Sequence, residues 1–136
     1  MRKLLIAVAS LAIIGCGGDS TGPVASVAGT WNLQTVNGNP LPYTAAFVAG
    51  PPVYRLELVS DVFVAAANGT YTEAFTTRET NGTTVTNTTE NDTGTWTQNN
   101  ANVTVTASDG TVSTASISGN TITINEQGLV AVYKRQ

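Results

Sequence analysis

Asn68-Gly69-Thr70-Tyr71-Thr72-Glu73-Ala74-Phe75-Thr76-Thr77-Arg78-Glu79-Thr80-Asn81-Gly82 is the stretch that decides the fold. Asn-Gly between β-forming residues is the strongest short-range hairpin signal, because both residues tolerate positive φ. Two such turns bracket one long strand, and a Thr-rich strand returns from Asn81-Gly82 through Glu90. Upstream, Tyr54, Leu56 and Leu58 alternate with Arg55, Glu57 and Val59, and a further strand follows over Val62 to Ala66. Alternation of this kind is the mark of a half-buried strand.

The same rhythm extends to both ends. Over Gly29 to Val36, Trp31 and Leu33 share one face and Thr30, Asn32 and Gln34 the other, before the turn Asn37-Gly38-Asn39-Pro40. Tyr43 to Pro52 reads as an irregular loop stopped by Pro51-Pro52. Downstream, Asn91 to Gly94 reads as a turn into Thr95-Trp96-Thr97, and Asn99 to Asn102 as a turn into Val103 to Thr106. Asp109-Gly110, Ser118-Gly119-Asn120 and Gln127-Gly128 separate the last strands, which end at Tyr133-Lys134-Arg135. Past residue 15 nothing carries a 3.6-residue period. The fold class is therefore all-β: an antiparallel up-and-down meander of 8–10 strands over residues 28–136. Because its links are tight and no long crossover appears, a closed barrel is favoured over a sandwich, and closure protects the edges.

Parity assigns the interior. Trp31, Leu56, Leu58, Phe63, Ile122 and Ile124 are the expected core. If Tyr71 and Phe75 face inward, so does Glu73, and the same rule turns Asn87 and Thr89 inward beside Val85 and Gln98 beside Trp96. Tyr71, Glu73, Phe75, Asn87, Trp96 and Gln98 are thus the candidate ligand-binding residues of a partly wet interior. The alternative puts Glu73 at the rim or flips it outward at a bulge. In the last strand either Leu129, Ala131 and Tyr133 or Val130 and Val132 face inward, and periodicity does not choose.

The amino terminus carries an address. Arg2-Lys3 precedes an apolar run from Leu4 to Ile14, of signal-peptide length and well short of the ~20 residues that span a bilayer. The run Ile13-Ile14-Gly15-Cys16 resembles the bacterial lipobox. That resemblance implies removal of a signal peptide, residues 1–15, and acylation of Cys16 by chains such as palmitate. Cys16 would then be the attachment to the membrane, since more than one chain anchors stably. Gly17 rather than aspartate after the cysteine favours the outer over the inner membrane of the cell envelope. Residues 16–27 would then be the lipidated cysteine and a polar tether, Gly17 to about Val27, reaching at most about 36 Å.

A second resemblance starts the domain. Gly29-Thr30-Trp31-Asn32-Leu33, leading to Asn37-Gly38-Asn39-Pro40-Leu41-Pro42, resembles the opening of small bacterial lipocalin-like domains, with Gly29-x-Trp31 matching their GxW. It implies that Trp31 closes the barrel base beneath Arg135, or Lys134, by a cation–π contact.

Composition narrows the chemistry. Without Arg2 and Lys3, four basic residues face nine acidic ones, a net charge of −5, which argues against nucleic acid as a partner. There is no histidine, and the acylation that the lipobox resemblance implies would leave the single cysteine no free thiol. No nucleophile elbow, phosphate loop or metal-ligand spacing is present. No cofactor or metal and no enzymatic activity is expected. The expected protein is a lipid-anchored barrel that binds a small apolar or amphipathic ligand. Its rival is a structural or protein-interaction module whose barrel is filled by its own side chains.

Overall fold

A computed structural model describes residues 23–126 and 128–136; the stretch expected to be a signal peptide and Cys16 lie outside the described residues. Ten strands run in order: β1 Gly29–Val36, β2 Asn39–Pro40, β3 Tyr43–Val48, β4 Tyr54–Ala65, β5 Thr70–Asn81, β6 Thr84–Asn99, β7 Asn102–Ala107, β8 Val112–Ser118, β9 Thr121–Glu126 and β10 Leu129–Arg135. Each of β4 to β10 pairs antiparallel with the next, β10 pairs with β1, and β1 pairs with β4. Eight strands therefore close a barrel with no helix among the described residues. The meander and its closure are as the hairpin chemistry predicts.

The seam is partial. β1 meets β4 only where Gly29–Asn32 faces Val62–Ala65. Beyond Asn32 the two strands part: β1 takes β2 as its neighbour, and the upper half of β4 takes β3. The stretch read as an irregular loop thus contains a strand, Tyr43–Val48, recruited by the free edge of β4. β5 and β6 stay paired to Asn81 and Thr84, so their hairpin projects above the barrel.

The turns follow local chemistry. Asn37 and Gly38 both have positive φ, 51° and 78°, the type I′ signature. At the base, Gly69 N–H bonds Ala66 C=O at 3.1 Å with Gly69 at φ 88°. This is the glycine-bulge form of a hairpin turn, in which only the last residue is left-handed.

Two bulges and one uninterrupted strand correct the sequence reading. In β1 the register slips between Leu33 and Thr35, so Val36 joins Trp31 and Leu33 inside. In β4 it slips between Leu58 and Ser60, merging the two predicted strands into one. That slip turns Asp61, Phe63 and Ala65 inward below Leu58. β6 runs from Thr84 to Asn99 without the turn expected at Asn91 to Gly94. Trp31, Phe63 and Ile122 are buried as expected, with Leu58 and Ile124 packed against them, while Leu56 stays outside this core. In β10 the face with Ala131 and Tyr133 is the inner one.

Candidate functional site: an acidic cavity above a closed base

The base is closed by a knot of side chains. Trp31 is fully buried, and its indole Nε1 donates to Val27 C=O at 2.7 Å. Arg135 is its partner across β1–β10, with the guanidinium carbon 4.2 Å from the indole centroid. Arg135 also donates to Ala28 C=O at 2.8 Å and to Ser26 C=O. A Cβ on Gly29 would collide with that guanidinium, and Gly29 has φ 143°, so the Gly and Trp of Gly29-x-Trp31 serve one contact. Lys134, the other cation considered for this role, is exposed.

Gln98 belongs to this knot. Its amide accepts from Val27 N–H at 2.8 Å and donates to the carbonyls of Ala25 and Asn100, both at 2.8 Å. It pins the segment that crosses beneath the barrel and buries Val27. Trp96, above it on the same face, donates its indole N–H to Ala66 and Thr70 carbonyls.

Above the base lies a cavity of about 610 Å³, within the range of small-molecule sites. Leu33, Val36, Phe63, Val105, Ile124 and Leu129 supply apolar wall. Five carboxylates line it as well: Asp61, Glu73 and Asp92, with Asp109 from the β7–β8 turn and Glu126 from the end of β9. Among the described residues no lysine or arginine lines it.

The deepest polar group is a triad. Tyr133 Oη donates to Asp61 Oδ2 at 2.7 Å and lies 3.5 Å from Glu73 Oε1. A phenol has one proton to give, so contact with Glu73 is favourable only when the Glu73 carboxyl is itself protonated. Burial, then the charges of Asp61 and Asp92, push Glu73 up to about 8. Asp61 is raised by burial, and Tyr133 is raised by burial and by the two carboxylates beside it. Like charges held together out of water cannot all ionise. On the neighbouring wall Tyr71 Oη donates to Asp92 Oδ2 at 3.0 Å, and the Tyr71 ring packs on Phe63 with centroids 5.0 Å apart. Burial and that bond raise Tyr71. Gly94 lies opposite Tyr71, where a Cβ would sit 2.6 Å from the ring and collide with Thr106 C=O.

Of the six candidate ligand residues, Tyr71 and Glu73 line the cavity. Phe75 keeps the same face of β5 but is half-buried and outside the cavity lining. Trp96 and Gln98 face inward below the cavity, in the base. Asn87 and Thr89 do not point inward: both are exposed on the projecting hairpin, where Asn87 pairs with Arg78. Along the unbroken β6 these two have the parity opposite to Asp92, Trp96 and Gln98, so they fall on the outer face.

Asp61 and Asp92 are not among the residues that parity turns inward, and Tyr133 stands on one of the two faces of the last strand that periodicity leaves open. Counting two residues back from Phe63 would have turned Asp61 inward; the strict alternation of Tyr54, Leu56 and Leu58 pointed the other way because the bulge was invisible. Glu57 shows the contrast. It is buried on the outer face of β4, with Arg78 Nε at 2.9 Å and Arg55 at 3.7 Å, and the bond to Arg78 holds its carboxyl below the usual range.

The family described as "Lipocalin-like domain" matches residues 27–131. No curated protein and no solved structure gives a match.

Proposed function

Since this chain belongs to the lipocalin-like domain family, we propose that it is a binding protein: a barrel that holds one small amphipathic molecule while tethered to a membrane. The observation that carries this reading is the cavity of about 610 Å³, with apolar walls and inward polar groups on a closed base. A barrel filled by its own side chains would leave no such space. The interior offers carboxylates and phenols but no histidine in the whole chain, which favours holding a molecule over transforming it.

The tether gives the barrel a direction. Val27 and Ala28 enter beneath the base, through the contacts of Gln98 and Arg135. An acyl anchor at Cys16 would then draw the base toward the bilayer and leave the mouth, at the β7–β8 and β9–β10 turns, facing away. Such a protein would present or collect its ligand on the aqueous side of a bacterial envelope membrane, the outer one by the Gly17 criterion.

Binding is tested with the neutral fluorophore N-phenyl-1-naphthylamine. Saturable one-to-one enhancement that disappears in Ala131→Trp, a substitution that fills the cavity, supports the reading; absence of saturable binding by the folded protein overturns it. The anchor is tested by detergent phase partitioning with intact mass. Wild type should partition with detergent and carry acyl mass, and Cys16→Ser should do neither.

A further inference from the structure

We infer that the molecule held in the cavity is an organic amine, bound as its ammonium ion with Asp61 as the anchoring carboxylate and an apolar body against the walls. This deepens, and rests on, the reading of the barrel as a binding protein.

The first support is an unpaired acceptor. Asp61 is 8% exposed, and its Oδ1 is buried without a hydrogen-bond partner, while Oδ2 is used by Tyr133. A buried carboxyl oxygen left unpaired is costly, and a charge-assisted donor is the partner that offsets this most. An ammonium brings both the donors and the charge. Asp61 lines the cavity, so its carboxyl borders the ligand space.

The second support is the one-sided charge distribution. All four basic residues past Cys16 are committed elsewhere. Arg55 and Arg78 pair with Glu57 on the outer face of β4, Arg135 covers Trp31 at the base, and Lys134 is exposed. Carboxylates, by contrast, run from Asp61 and Glu73 at depth through Asp92 to Asp109 and Glu126. An anionic ligand such as a fatty acid would meet acidic groups along this path and no base within. A cation would be drawn inward along it. Among the described residues no three carboxylates are grouped as a metal cage would require, and the surrounding wall is hydrocarbon and aromatic. An organic cation satisfies both features.

The test compares three ligands that share one chain: octylamine, octan-1-ol and octanoate, titrated calorimetrically at pH 7. Octylamine is expected to bind about ten-fold or more tightly than octan-1-ol, the gain of one charge-assisted bond, with octanoate weakest. In Asp61→Asn, which still offers Tyr133 an acceptor, octylamine should fall to about the affinity that octan-1-ol shows for the same variant, with Tm not lowered. Glu73→Gln, which leaves Asp61 charged, should retain the preference for the amine. Equal binding of all three ligands, or an amine preference that survives Asp61→Asn, overturns this inference and leaves the binding function standing. Binding of none of the three by folded protein overturns this inference, and overturns the binding function as well if N-phenyl-1-naphthylamine also fails to bind.

Discussion

Arg135 stands over Trp31 at 4.2 Å, directly opposite it in the β1–β10 register, and also donates to the backbone that precedes β1. One side chain thereby joins the last strand, the first strand and the incoming chain. Removing it loses a cation–π contact and leaves Ala28 and Ser26 carbonyls without their donor. Arg135→Ala should lower unfolding stability by about 2–3 kcal/mol in urea titrations. Arg135→Lys should recover less than half, because an ammonium lacks the planar fork that spans two carbonyls while stacking.

Gly94 allows β6 to pass beneath the Tyr71 ring and close to β7. Gly94→Val should destabilise by about 3 kcal/mol or more by overpacking. Adding Tyr71→Ala to it should not restore stability, since the collision with Thr106 C=O is with backbone. Chemical denaturation of the single and double variants checks this.

The buried carboxyl pair gives stability a pH dependence of definite sign. The folded pKa of Glu73 lies at about 8, above its ordinary value of 4.5. The folded state therefore holds a proton that the unfolded chain releases, and stability falls as pH rises across that window. The Glu73 contribution is complete below about 4.5 and lost as pH passes about 8. Glu73→Gln should flatten the decline and raise Tm at pH 8.5 more than at pH 5. Differential scanning calorimetry over pH 5–9 reads both, and a wild-type Tm that rises across this range would contradict it.

Gln98 is a structural residue in this geometry. Gln98→Ala leaves Val27 N–H without an acceptor at the base and should cost about 1–3 kcal/mol. It should raise hydrogen exchange at Val27 while leaving the affinity for N-phenyl-1-naphthylamine within about two-fold, because the cavity lies above it.

Asn87 is exposed on the projecting hairpin. Asn87→Ala should change stability by no more than about 0.5 kcal/mol and leave probe binding unchanged in the same fluorescence titration.

The chain by itself determined the hairpins, because turn chemistry and side-chain alternation are properties of neighbouring residues. Asn37-Gly38, Asn68-Gly69 and Asn81-Gly82 punctuate the strands wherever the chain goes, and the family resemblance carried by Gly29-x-Trp31 foresees the base closed by Arg135. Tertiary structure alone decided which residues face the ligand space. A bulge at Val59 costs one ladder position and turns Asp61 inward; its placement depends on how β4 shares its edges with β1, β3 and β5. The continuity of β6 through Gly94 likewise depends on a Tyr71 ring and a β7 carbonyl filling the space where a Cβ would stand. Because side chains alternate with a period of two, each such one-residue shift moves every later residue to the opposite face. Local patterning therefore reads the strands well, and the inside of the barrel only up to the first irregularity.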